Sequence, residues 1–162
     1  MAENHEVSHQ TISRALSGKD SHVLTAGILE GLNWELAGVR PEGAPHSVFQ
    51  LANHITYWHE WLVKWLDGKN PKAPKHAAGG WPGKVSPANR REWEQTMRRF
   101  RDELDALERR SQQEDLLSRR GKMTRLEMMH LVASHTSYHA GQVAFLRQQL
   151  AAWPPPSGGV TW

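Results

Sequence analysis

The spacing of apolar residues constrains this chain more than any other feature. Four segments place apolar residues at steps of three and four, and none alternates apolar with polar residues as a half-buried strand does. The clearest stripe, within residues 46–66, consists of Val48, Leu51, Ile55, Trp58, Leu62 and Trp65. The sequence therefore predicts an all-α domain, and four amphipathic helices of this length suit an antiparallel four-helix bundle.

The predicted helices run over residues 21–36, 46–66, 86–107 and 124–151, and a shorter helix over residues 11–16 precedes them. The third begins at an N-cap serine followed by proline, Ser86–Pro87. Thr124 and Glu127 offer a capping box for the fourth.

The 162 residues suit a single domain. We expect residues 1–10 to be flexible, residues 67–85 to form a long loop between the second and third helices, and residues 153–162 to form a proline-rich tail that docks through Val160 to Trp162. No stretch approaches the ~20 apolar residues of a membrane span. We therefore expect a cytoplasmic protein without a membrane partner.

The chain has no cysteine, which excludes a disulfide framework, a thiolate zinc site and a cysteine nucleophile. It has ten histidines, so nitrogen ligands for a metal are abundant. The net charge of +3 is small because acidic residues are interspersed among the basic ones, so no nucleic-acid partner is expected.

His135 and His139 have the i, i+4 spacing that puts two imidazoles on one helix face. Chance alone supplies roughly 0.6 such pairs in a chain with this many histidines, and His5 with His9 is a second pair. At ~100° per residue, His135 and His139 point at the middle of the apolar stripe, whereas His130 points away. Burying both rings without a partner costs several kcal/mol, so a metal or a polar network is required.

A metal site needs at least one more ligand from a facing helix. The second helix offers His54 and His59, both at the flank of its stripe, and the helical wheel favours His54 only slightly. The zinc-protease motif H-E-x-x-H is absent because Thr136 follows His135. Glu127 and His130 match the spacing of a di-iron motif, but the other carboxylates of such a site are missing.

The stretch from His130 to Arg147, HLVASHTSYHAGQVAFLR, together with SVFQLANH ending at His54, resembles the DinB-like family of DNA-damage-inducible proteins and bacillithiol or mycothiol S-transferases. The resemblance spans nearly the whole chain. It implies a four-helix bundle of the DinB type that holds one divalent ion with His54, His135 and His139.

The resemblance also implies a function: transfer of a low-molecular-weight thiol to an electrophile, or hydrolysis of a small substrate. A metal-stabilised bundle without enzymatic activity is the alternative. Zinc or nickel is expected, with iron as a further option. A small thiol cosubstrate and a second copy of the chain, forming a homodimer, are the expected partners.

Three further groups near the predicted ligands leave alternatives open, and no catalytic residue is assigned. Gln142 either orients a ligand imidazole or a bound water, or simply satisfies bonds between helices. For Tyr138 packing is preferred to catalysis. Trp58, Trp61 and Trp65 are expected in the core rather than in a substrate cage.

Overall fold

The structure, a computed structural model, describes residues 2–159 and the side chains from Glu6 to Gly159. Within this range it has helices α1 to α5 and a two-residue antiparallel pair of strands, Arg119–Arg120 (β1) and Met123–Thr124 (β2). Two 3-10 helices cover Thr25–Gly27 and Ala77–Gly80. The helices are α1 Ala2–Ser17, α2 Trp34–Ala37, α3 Val48–Leu66, α4 Arg90–Ser111 and α5 Arg125–Gln149. The predicted all-α class is confirmed.

Local capping explains where the long helices begin. The predicted capping box of Thr124 and Glu127 is present at the start of α5. A second box, Ser47 with Gln50, begins α3. Helix α4 is capped by Asn89, whose side chain accepts from the Glu92 amide, so it begins a turn later than the Ser86–Pro87 signal predicts.

The four long helices pack side by side around two apolar clusters. Helix α3 lies against α4 and α5, and so does α1. The first cluster takes the N-terminal halves of α3 and α4 and the C-terminal half of α5, and the second takes their opposite halves together with α1. Helices α3 and α4 therefore run in the same direction, α5 runs against them, and the chain between Leu66 and Arg90 must return along the molecule.

The helix predicted over residues 21–36 is wrong. This segment holds only the 3-10 helix Thr25–Gly27 and the first residues of α2. Gly31 has φ +71°, and a Cβ there would lie 2.9 Å from the Pro156 ring. Val23, Ile28, Leu29 and Leu32 of this segment are still buried, whereas Leu24 is exposed. The spacing of these residues therefore indicates which side chains are buried and does not indicate a helix. Contacts with other parts of the chain keep the segment in place.

The N-terminal helix is longer than the sequence predicts. Residues 2–10, expected to be flexible, belong to helix α1, which the sequence predicts only over residues 11–16. Ile12 and Leu16 anchor this helix in the second cluster. In the tail, Trp153 packs against the first cluster, whereas Val160 to Trp162 lie outside the described residues. None of the helices in the described part of the chain has the length and apolar character needed to cross a membrane.

Candidate metal centre

The three predicted ligands come together between α3 and α5. On α5 the first apolar cluster includes Val143 and the second includes Ala133, and the pair His135 and His139 lies in the interval between them. His54 faces this pair from α3. Their ligand atoms all lie within 4.8 Å of one another. The fold thus brings together residues that are about eighty positions apart in the chain.

The three imidazoles converge through their Nε2 atoms. His135 Nε2 lies 3.1 Å from His54 Nε2 and 3.1 Å from His139 Nε2. Two imidazole nitrogens bound tetrahedrally to one zinc ion at ~2.0–2.1 Å lie about 3.3 Å apart. The observed separations therefore fit a shared divalent cation.

The opposite nitrogens of two rings are held by acceptors. His54 Nδ1 donates to the Gly80 carbonyl at 2.7 Å, and His139 Nδ1 donates to Gln142 Oε1 at 2.7 Å. Each bond fixes the tautomer whose Nε2 carries a lone pair, as acceptors bonded to the far nitrogen do for metal-binding histidines. Of the two roles considered for Gln142, the structure has the contact that orients a ligand imidazole.

His135 cannot satisfy both of its nitrogens within the described structure. Its Nδ1 is buried without a hydrogen-bond partner. If Nδ1 carries the proton, three Nε2 lone pairs face one another, and if Nε2 carries it, a buried lone pair stays unpaired. Either arrangement costs free energy, and a cation at the centre removes the lone-pair repulsion.

Burial lowers the pKa of all three rings. For His135, burial and then the charges of His139 and His54 lower the pKa to about 4. Burial also lowers the pKa of His54 and of His139, and the bonds to Gly80 and Gln142 oppose this only in part. The rings are therefore neutral at pH 7, which is the form that binds a metal.

The remaining candidate histidines lie away from this centre. His59 is fully buried, its Nε2 lies 2.8 Å from Thr136 Oγ1, and its ring packs near Phe100. His130 is exposed. His9 Nδ1 bonds to the Ser111 carbonyl at 2.5 Å, and the side chain of His5 lies outside the described residues. Geometry therefore separates His54 from His59, which the helical wheel hardly distinguishes.

Residues 80–85, which we term the covering segment, run along the first half of α3. Ser47 donates through its hydroxyl to the Val85 carbonyl and Gln50 Nε2 donates to the Pro82 carbonyl at 3.4 Å. With the His54 bond, three side chains on one face of α3 hold this segment in place.

Trp81 of the covering segment forms one wall of the centre. Its ring stacks on His54, with centroids 3.8 Å apart and an interplanar angle of 4°. His46 stacks on the same tryptophan at 3.6 Å. The sandwich of His46, Trp81 and His54 is a contact that spacing along one helix does not reveal. The sequence nevertheless marks the longer segment around Trp81 as irregular and aromatic.

A cavity of about 530 Å³ opens beside the three imidazoles. Trp58, Tyr138 and Gln142 also line it. Among the described residues, no aspartate, glutamate, lysine or arginine side chain lines this cavity. Trp58 is half-buried and lies edge-on to His54 and His135, so it belongs to the wall of the site and to neither apolar cluster, unlike the core position expected from the sequence. Tyr138 is 66% exposed, which does not fit the packing role preferred from the sequence.

Comparison with known proteins gives one match. The family model described as DinB superfamily matches residues 20–143, well over half of the chain. No curated protein and no solved structure matches significantly. The matched range contains His54, His135, His139 and Gln142.

Proposed function

The chain belongs to the DinB superfamily, and from this premise we propose that it is a divalent-metal-dependent enzyme that transfers a low-molecular-weight thiol to an electrophile. In this proposal the four long helices form a bundle of the DinB type, and His54, His135 and His139 hold one metal ion. Zinc or nickel is the proposed ion, with iron as the further option, because imidazole ligands suit all three.

One observation carries the proposal. Three neutral imidazoles bring their ligand atoms within 4.8 Å of one another at the wall of a cavity, with His135 Nε2 lying 3.1 Å from the Nε2 atoms of both other rings. Structural zinc sites are closed by four protein ligands, whereas catalytic sites keep a position open. Three ligands beside a cavity support a site that takes up a further molecule.

A divalent ion in such a site lowers the pKa of a bound water or thiol and so supplies a nucleophile at neutral pH. The residues of this chain contribute orientation and exclusion of water. Gly80 and Gln142 hold two of the ligand rings. Trp58 and Trp81 wall the rings with apolar surface.

Thiol transfer fits the side chains better than hydrolysis. The chain has no cysteine, so any reacting sulfur arrives on a cosubstrate. A hydrolase of the zinc-protease type uses a glutamate as general base, and the described cavity wall contains no carboxylate. Apart from the three proposed ligands, the titratable groups of the described wall are His46 and Tyr138, which are the candidates for proton transfer.

We test the proposal with the zinc, nickel and iron forms of the protein. Each is mixed with glutathione or cysteine as the thiol and with 1-chloro-2,4-dinitrobenzene as the electrophile, and His54→Ala is the control. We expect a rate above background that requires both the metal and His54. If chelation lowers the thermal midpoint and no thiol pair reacts, the alternative of a non-enzymatic, metal-stabilised bundle replaces the proposal.

The proposal also includes a cytoplasmic homodimer. Large apolar side chains are exposed at several places on the described surface away from the cavity beside the histidines, among them Val7, Leu24 and Leu117. Light scattering measures the state directly, and a monomer at micromolar concentration would contradict this part.

A further inference from the structure

A second cavity adjoins the one beside the histidines. It also has a volume of about 530 Å³. The two cavities share four wall residues, which are Pro45, His46, Tyr138 and Gln142. They are therefore two lobes of one cleft, which we term the metal lobe and the distal lobe.

The distal lobe is walled mainly by apolar groups. Proline and alanine side chains from residues 41–45 form one side, and Leu51, Phe145 and Leu146 contribute from α3 and α5. The charged side chain of the described wall is Glu42, which is exposed. No lysine or arginine lines the described wall and apolar groups predominate there, so a neutral apolar group fits the lobe better than an anion.

Exposed apolar side chains of α5 line the cleft from one end to the other. Leu131, Tyr138 and Phe145 are 54%, 66% and 60% exposed. Leu131 lines the metal lobe, Phe145 lines the distal lobe, and Tyr138 lines both. The spacing of seven residues keeps them on one side of the helix over ~21 Å. Contiguous exposed apolar surface of this kind is typical of a binding site.

We propose that the distal lobe binds the apolar part of the electrophilic substrate, a neutral alkyl chain or aromatic ring, while the reacting end of the same molecule lies at the three histidines. The inference rests on the proposed function, whose substrate class it specifies. Both lobes have the volume of small-molecule sites, which are ~300–1,000 Å³. Their shared walls allow one ligand to reach both.

Gln142 stands where the two lobes meet. Its Oε1 atom is bound to His139, so its amide nitrogen is the group that can donate to a polar atom of the ligand. A ligand whose reacting end lies at the histidines, with a central acceptor and an apolar tail, would match the histidines, Gln142 and the distal lobe in turn.

Gly141 gives a direct way to close the distal lobe. It lines that lobe and not the metal lobe. A Cβ at this position has no heavy atom within 4 Å, so Gly141→Arg fills the lobe without a clash at its base. Gly141→Ala leaves the lobe open. Ser134→Arg adds the same charge at an exposed position of α5 outside both lobes.

The probes are acetohydroxamate and hexanohydroxamate, which share a metal-binding head and differ in the tail. Calorimetry measures their affinities for the zinc-loaded protein. Each fully buried methylene strengthens binding roughly fourfold, so we expect the longer tail to bind at least ~30-fold tighter. Gly141→Arg should reduce this gain to under ~5-fold without changing the affinity for acetohydroxamate, whereas Gly141→Ala and Ser134→Arg should keep the gain.

An equal tail gain in wild type and Gly141→Arg would overturn the inference. A second result would also overturn it: the wild type is a dimer, Gly141→Arg converts it to monomers, and hexanohydroxamate still binds more tightly than acetohydroxamate by the wild-type factor. The distal lobe would then be a contact between two copies of the chain. The neutral probe N-phenyl-1-naphthylamine tests the lobe in zinc-free protein. If zinc and acetohydroxamate do not bind but Gly141→Arg abolishes binding of this probe, the histidines do not form a metal site, and the distal lobe still binds apolar ligands.

Discussion

Helix α5 buries polar side chains in two places, and they differ in how far their hydrogen bonds are satisfied. Near its C-terminal end, Arg147 is 2% exposed and donates to the carbonyls of Ile28 at 2.7 Å, Glu30 at 2.8 Å and Ala152 at 2.9 Å. In its middle, His135 and His139 direct their Nε2 atoms at each other. Arg147 joins α5 to the backbone of residues 28–30 and 152, and the two histidines have the arrangement of side chains that bind a ligand between them.

The comparison has a thermodynamic meaning. A buried polar group with all partners in place adds stability, and its removal leaves those partners unpaired. A buried group that lacks partners costs stability until a ligand supplies them. Loss of Arg147 should therefore affect folding, and loss of the histidines should affect binding.

The largest expected effect is that of Arg147→Met, which retains apolar length and leaves three carbonyls without their donor. We expect the free energy of unfolding to fall by about 3 kcal/mol or more, ~1 kcal/mol for each carbonyl left without its donor, measured by urea denaturation of the metal-free protein. Arg101→Met is the matched control, because Arg101 is half-exposed and, among the described residues, pairs with Glu30 alone at 3.3 Å. It should cost under ~1 kcal/mol. Equal losses in both variants would remove the distinction between the two places.

The next effect is metal-dependent stability. Free zinc at 100 times its dissociation constant should raise the free energy of unfolding of the wild type by about 2.7 kcal/mol. His135→Ala should lose this gain and change the metal-free stability little, because the ring it removes has a buried, unpaired nitrogen. His130→Ala, on the same helix but exposed, should keep the gain. A zinc-dependent shift that survives in His135→Ala would contradict the assignment.

Features that depend on neighbouring residues can be predicted from the sequence, whereas contacts between distant parts of the chain cannot. The capping box of Thr124 and Glu127 and the i, i+4 pair His135 and His139 are local, and the sequence predicts both. The helix over residues 21–36 is predicted wrongly, and two carbonyls of this segment, those of Ile28 and Glu30, accept hydrogen bonds from Arg147 in a distant part of the chain. Helical spacing cannot show such contacts.

The walls of the site follow the same rule. Trp81 and Gly80 come from the covering segment, and only the folded chain brings them to His54. His46 lies just before α3 and reaches the site by stacking on Trp81. The choice of His54 over His59 was likewise open from spacing alone and required either the family resemblance or the structure.

A smaller effect is expected at Gln142, which orients a ligand ring without belonging to the proposed ligands. Gln142→Leu removes the acceptor of His139 Nδ1. We expect zinc affinity to fall 10- to 100-fold, about 1.4–2.7 kcal/mol, with the stoichiometry unchanged. Gln142→Glu keeps an acceptor and should retain most of the affinity. An unchanged affinity in Gln142→Leu would show that the hydrogen bond does not orient the ligand.

The last effect is a dependence on pH, measured as a slope rather than as a single loss. Burial, with the charge of His135 second, lowers the pKa of His59 to about 3 in the folded protein, against ~6.5 in the unfolded chain. Between these values the unfolded chain binds the extra proton, so stability rises with pH up to about 6.5 and is lost as pH falls toward 3.

His59→Asn should therefore reduce the slope of unfolding free energy against pH by up to about 1.4 kcal/mol per pH unit in this window. Urea denaturation of the metal-free protein between pH 4 and 6.5 measures the slope. The exposed His130→Asn serves as the control. An unaltered slope in His59→Asn would mean that the buried ring does not resist protonation.

The central claim is that His54, His135 and His139 together hold one divalent ion, and a competition titration with zinc tests it most directly. We predict one zinc ion per chain in the wild type and in His59→Ala, and at least ~100-fold weaker binding in His54→Ala, with the helix content retained in each as judged by circular dichroism. One tightly bound zinc ion per chain in His54→Ala would contradict the claim, as would a wild type that binds none.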